Sequence, residues 1–385
     1  MIKQETGFTL VELMITMVVF VLVLAAGAQI FTGLLTQFKQ QSKMAETNIE
    51  AIVGLETLRR DIEHAGYGLP WTFQNAINYN EAASAPASNY NDAPINPPRG
   101  IISGNKINYA NVINDSDYLI IKAITVARNE TCEKWTTLQS SPTPFSDTYN
   151  PRVWSATSEN LQAAEKVIVI SLGGTTDQRM LIMNNAAFFD QYSNVGSSPW
   201  TPMGPTDIRI VYGVNPDTDL SMPFNRADYF VSTTNVPLSC AQNTGVLEKA
   251  VVNQNDGNLD LLPLLDCVAD MQVVFGMDTD ADGAVNCYVN NLADVLAPVN
   301  AQNIREQVRE VRVYILAHEG QYDRDFTYNP PSPPSTIRVG EPEVAISCTG
   351  AVLGRDLDFS LSGITNWQNY RWKAYTLVVS PDNLR

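Results

Sequence analysis

GFTLVELMITMVVFVLVLAAGAQIF, residues 7–31, is the stretch whose reading decides the fold. No charged side chain occurs from Leu13 to Phe38, and within Leu13–Leu35 only Thr16, Gln29 and Thr32 are strongly polar. At 1.5 Å per residue this run covers roughly 30 Å, the thickness of bilayer hydrocarbon. It is too long for the apolar core of a secretory signal peptide, about 7 to 15 residues. It is too uniformly apolar for a core helix of a soluble protein. The spacing predicts a membrane-spanning helix over about 13–35, with one carboxylate, Glu12, directly before it.

The helical period does not stop at the end of the apolar run. Ala45, Ile49, Ile52, Leu55, Leu58 and Ile62 recur at steps of three and four, with Lys43, Glu46, Glu50, Glu56, Arg59, Arg60, Asp61 and Glu63 between them. One helix over 8–64 is expected, its second half amphipathic and its apolar stripe turned to a globular body. Gly66, Gly68 and Pro70 then stop it.

The stretch GFTLVELM resembles the type IV prepilin motif, in which a short polar leader ends in Gly, a Phe follows, and a Glu stands fifth in the mature chain. The resemblance implies a leader over 1–7, cleavage by a prepilin peptidase between Gly7 and Phe8, and amino-methylation of Phe8. It also implies a role for Glu12. A carboxylate in hydrocarbon is costly, about 2.5–3.5 kcal/mol at a helix centre, so it needs a partner. In the family that partner is the terminal amine of a neighbouring subunit, which makes Glu12 a device for setting register between helices during assembly. The leader MIKQETG holds Glu5 as well as Lys3, and Lys39 and Lys43 follow the apolar run. The positive-inside signal is therefore weak, and the expected orientation, leader inside and body outside, rests on the motif.

Three further stretches are similar to minor pilins of the W-subunit type: LRRDIEHAGYG at 58–68, VVFGMDTDADGAVNCYV at 273–289 and VREVRVYILA at 308–317. The final NYRWKAYTLVVSPDNLR resembles the strand that closes such chains. The resemblance implies a minor type IV pilin, held in the inner membrane as a precursor, that primes polymerisation at the filament tip with other minor and major pilins. A J-type minor pseudopilin of a type II secretion system is the runner-up, though such chains are usually nearer half this length. A tip-displayed adhesin using the pilin stem as a mount is a third reading.

Residues 65–385 are expected to form the head, with 70–260 as a possible inserted or elaborated region. The stretch 70–117, rich in Asn, Pro, Ala and Ser, reads as irregular surface loop. Strand-like runs follow: DYLIIKAITV (117–126), KVIVISL (166–172), RMLIM (179–183), DIRIVYGV (207–214), MQVVFGM (271–277) and VREVRVYILA. In the last, Val308, Val311, Val313 and Ile315 alternate with Glu310, Arg312 and Tyr314, which predicts one buried face and one wet face. The proline-rich 328–342 is expected as an extended connection, and most of the six tryptophans as core. The fold class expected is α+β: a long amino-terminal helix packed on a mainly antiparallel sheet.

Against 25 basic residues stand 41 acidic ones, a formal charge of -16, which argues against a nucleic-acid partner. Five scattered cysteines, Cys132, Cys240, Cys267, Cys287 and Cys348, include no CxxC pair. Outside the cytoplasm they allow two bridges and one leftover thiol, in any of fifteen pairings. Asp278, Asp280, Asp282 and Asn286 lie in D-x-D-x-D-G spacing, which can turn alternate carboxylates onto calcium. The twelfth position of that loop is Val289, where an EF-hand needs Glu, so the expected ion is structural. The two histidines, His64 and His318, begin no HExxH, and no nucleophile elbow or phosphate loop occurs. No enzyme is expected.

Overall fold

The computed structural model describes residues 9–138, 151–173, 179–204, 207–332, 334–342 and 346–384. Its first element is a single α-helix, Leu10–Glu63, of 54 residues. Thr9 caps it: its hydroxyl accepts from the Glu12 amide, and the Glu12 carboxylate accepts from the Thr9 amide at 3.0 Å. Two orphan donors at the helix start are thus satisfied reciprocally. At the other end the chain leaves the helix through Gly66 at φ +87°, where a β-carbon would meet the Asn383 carbonyl. The carboxy terminus folds back here, and the Asn383 amide donates to the Glu63 carbonyl at 3.2 Å.

The body is built on one antiparallel sheet. Its strands run in the order Arg371–Val379, Val308–Glu319, Leu259–Met277, Gly245–Val252, Asn225–Ser232, Tyr118–Ala123 and Ile101–Gly104, with Cys287–Val289 as a short extra partner of Leu259–Met277. A second, smaller sheet holds Lys166–Ser171, Arg209–Asn215 and Trp135–Leu138 antiparallel, with Met180–Leu181 and Thr72–Phe73 at its edge. Among the described residues of 70–260, therefore, four whole strands belong to the main sheet and the other strands to the smaller one beside it.

The alternation expected along 308–317 holds only at its start. Val308, Val311, Val313 and Ile315 are buried, but so are Tyr314, Leu316 and His318 on the opposite face. That second face is not wet because the Thr336–Gly340 and Gly354–Asp358 hairpin packs over it, contributing Ile337, Val339 and Leu357 to a common cluster with Tyr314 and Leu316. Of the six tryptophans only Trp200 and Trp372 are buried, fewer than expected.

The segment 74–100 is irregular, as its composition predicts, but it is not merely surface. Glu81 and Asp92 are buried and converge on two equally buried cations of the main sheet. Lys122 lies 2.6 Å from each carboxylate, and Arg226 lies 3.0 Å from Glu81 and 2.7 Å from Asp228. Burial disfavours the Glu81 charge, and Lys122 and Arg226 overcome this and hold its carboxyl below the usual range. Removing one member would leave an uncompensated buried charge, typically a loss of about 3–5 kcal/mol.

The bridges are Cys240–Cys267 and Cys287–Cys348, and Cys132 is a buried free thiol. Burial pushes the Cys132 thiol up to about 11, so almost no thiolate is present at neutral pH. Thiol titration of the folded, unreduced protein should find no reactive group at pH 7.5. Denaturation should expose one thiol, and denaturation with reductant all five.

Candidate functional site

Two surfaces carry the chemistry of this chain: the long helix with its seam against the body, and the acidic hairpin. From Leu10 to Phe38 every helical residue is exposed, including Phe20, Leu22, Phe31 and Phe38 at 60% or more. Among the described residues no other part covers this face, which is what the apolar run requires if its solvent is lipid or other helices. Glu12 sits at its very start and, among the described residues, its carboxylate is bound only to Thr9. Gly7 and Phe8, the expected processing pair, lie outside the described residues.

The helix meets the body through Ala51, Gly54, Leu55, Leu58, Asp61 and Ile62. This corrects the expected stripe in part. Leu55, Leu58 and Ile62 are buried, whereas Ile49 and Ile52 are exposed at 64% and 70% and join Val53 on the outer side. The seam is selected by fit as well as by apolarity. At Gly54 the helix backbone runs against the strand Leu259–Met277, and a β-carbon there would overlap the Leu264 carbonyl. Two turns further on, Asp61 receives hydrogen bonds from Lys249 and from the Tyr229 hydroxyl, all three buried. Burial, reinforced by the Asp61 charge, keeps that hydroxyl protonated far above its ordinary range. An acidic residue that the sequence reading places on the polar side is thus the polar anchor of the seam.

In the hairpin between the strands Leu259–Met277 and Cys287–Val289, Asp278, Asp280 and Asp282 present oxygens all within 4.8 Å of one another. Asn286 does not join them in the same way. Its oxygen accepts from the Thr279 amide and hydroxyl, both at 3.2 Å. Burial opposes the Asp278 charge, but the Gly283 amide and Arg309 hold that carboxyl below the usual range.

Neither histidine is placed as a base on a substrate. His64 meets the Thr125 hydroxyl at 3.2 Å near the helix end. His318 is fully buried against Tyr370 and Trp372, with Nε2 accepting from the Ala241 amide at 2.9 Å.

Comparison with known proteins agrees with this geometry. Residues 2–28 match the model of the prokaryotic N-terminal methylation motif, and residues 228–383 match that of the type IV pilus-assembly protein W. The chain carries a type IV pilus-assembly protein W domain. Behind the methylation motif and the free apolar helix, its role is that of a minor type IV pilin in pilus assembly. The W domain begins inside the main sheet, in the strand Asn225–Ser232, and runs through the closing strand. No curated protein matches the chain significantly. Among solved structures, a type IV-like pilin from Thermus thermophilus aligns at 16% identity and a TM-score of 0.20, covering 42% of this chain and 80% of its own.

Two measurements test the seam and the core of the W domain. Gly54→Ala would raise stability by about 1 kcal/mol if helix propensity governed. The overlap with Leu264 instead predicts a loss of about 1–3 kcal/mol, read from urea unfolding of the full chain in detergent. For His318, burial pushes the imidazole down from 6.5 to about 4. The folded state keeps it neutral while the unfolded chain takes up a proton below about pH 6.5, so its contribution is complete above that pH and is lost as pH falls toward 4. The total is about 3 kcal/mol. His318→Gln should remove that slope from the pH 4–6.5 window of a thermal-melt series, leaving only the decline common to both proteins.

Proposed function

We propose that this minor pilin is made as a single-pass inner-membrane precursor with its head outside the cytoplasm. A prepilin peptidase cleaves it after Gly7, Phe8 is methylated, and the mature chain enters a complex at the filament tip that primes polymerisation. The observation that carries this reading is the division of one helix. Among the described residues, 10–38 are exposed along their whole length, and the buried contacts of 51–62 hold the head onto the stem. An apolar helix presented in this way is a polymerisation element, since burial of its side chains comes only from lipid or from neighbouring stems.

The protein's work is assembly rather than catalysis. Its partners are other minor and major pilins, reached through the stem, with Glu12 taking the terminal amine of a neighbour as its counter-charge. Adhesion and twitching would follow from the filaments that it helps to start. The W-domain match favours a pilus over a secretion pseudopilus.

The test is intact mass and amino-terminal sequencing of the protein recovered from membranes of a strain with its own peptidase. A chain beginning at methylated Phe8 is expected. A chain beginning at Met1, or cut beyond the apolar run, overturns the proposal. Glu12→Ala should still be processed yet fail to restore piliation to a deletion strain. Loss of type II secretion with normal piliation would favour the pseudopilin instead.

A further inference from the structure

The hairpin loop 278–286 belongs neither to the seam nor to the stem, and its frame is rigid. Met277 pairs with Cys287 across the strands, the Asp278 amide donates to the Gln307 carbonyl at 2.8 Å, and the Asn286 amide donates to that of Met277 at 2.9 Å. The outgoing arm is bridged through Cys287 to Cys348. Three carboxylates gathered on this frame repel one another. Asp280 and Asp282 are exposed, and water can screen them, so by themselves they point to no ligand.

Asp278 is different. Its side chain is fully buried. One oxygen, Oδ2, accepts from the Gly283 amide at 3.0 Å and from Arg309 at 2.9 and 3.1 Å. The other, Oδ1, has no hydrogen-bond donor among the described residues. A buried carboxylate oxygen left unmatched is strongly disfavoured, and the side chains that bring oxygens within 4.8 Å of the Asp278 carboxylate, Asp280 and Asp282, are themselves anions. Only a cation satisfies all three at once.

We infer that this loop binds one calcium ion through Asp278, Asp280 and Asp282, with water completing the shell. Three carboxylates against the single guanidinium of Arg309 leave two formal negative charges, which one divalent ion neutralises. Calcium takes six to eight oxygens at about 2.3–2.6 Å, so ligands on opposite sides of it lie roughly 5 Å apart. Oxygens within 4.8 Å of one another fit that span. Magnesium demands a near-ideal octahedron at about 2.0–2.1 Å and gives up its water reluctantly, which suits this open loop less well. Asn286 stays with Thr279, and Val289 supplies no carboxylate where an EF-hand has its bidentate Glu. The site is therefore of the weak extracellular kind, with Kd on the order of 10⁻⁴–10⁻³ M. Its effect is to brace a hairpin at the end of the central strand of the W domain.

The full chain in detergent, stripped with EDTA, is titrated with calcium chloride in a calorimeter, with magnesium chloride in parallel, and its melting temperature is followed. One site per chain is expected, roughly tenfold or more weaker for magnesium, with a melting temperature raised by about 2 °C or more at about 10 mM calcium. Asp280→Asn combined with Asp282→Asn should abolish the heat and the shift, while melting in EDTA stays at or above that of the parent because repulsion is relieved. These two positions are exposed, so folding is not at risk. No calcium response in the folded parent, a response undiminished in the double variant, or equal affinity for magnesium overturns the assignment.

Discussion

A single helix must satisfy two different solvents, and the rest of the protein is arranged around that constraint. Its first half offers almost wholly apolar surface and is stable where water is absent. Its second half must dock on a water-soluble head carrying a formal charge of -16. The transition is made at the seam, where Gly54 lets two backbones touch and Asp61 is matched by Lys249 and Tyr229. Close approach supplies dispersion contacts, and the buried pair supplies register, because sliding the helix by one residue would strand a charge in the core.

The head is built to hold that seam still. The strand facing Gly54 is the 19-residue Leu259–Met277, which pairs with Gly245–Val252 along its first half and with Val308–Glu319 along its second, and is crosslinked at Cys267. Beyond it, the Glu81, Asp92, Lys122, Arg226 and Asp228 network ties the irregular 74–100 segment down onto the sheet. Polar groups therefore bind the helix to the sheet and the long loop to the sheet, while apolar clusters fill the space between. A stem fixed to its head in this way passes on the position taken by the helix among its neighbours.

The stem and the motif were legible from the first 64 residues because their information is local. Uninterrupted apolarity needs no partner to be recognised, and Gly7, Phe8 and Glu12 are read by spacing alone. The strands at 166–171, 209–215 and 308–319 were also legible, since β-branched runs bounded by turn residues need no more than their own sequence. The strands at 225–232 and 245–252 were not. NRADYFVS and GVLEKAVV carry charges at positions that look like solvent, and only the pairing of Arg226 with Glu81 and of Lys249 with Asp61 makes them core strands. The apolar stripe of the helix misled for a similar reason. Ile49 and Ile52 fit the period, but the body takes the face that carries Gly54.

The sequence by itself determined that this chain has one free apolar helix with a carboxylate at its start, an antiparallel body behind it, and an aspartate loop spaced for a cation. Tertiary structure decided which helix face is buried, which cysteines meet, that 74–100 is anchored by charge, and that Asp278 alone of its loop is buried with an unmatched oxygen. The physical reason is range. Hydrophobic period and motif spacing act along the chain. Close backbone approach, as of Gly54 to Leu264, and the compensation of buried charge, as of Asp61 by Lys249 188 positions away, exist only once the chain has folded.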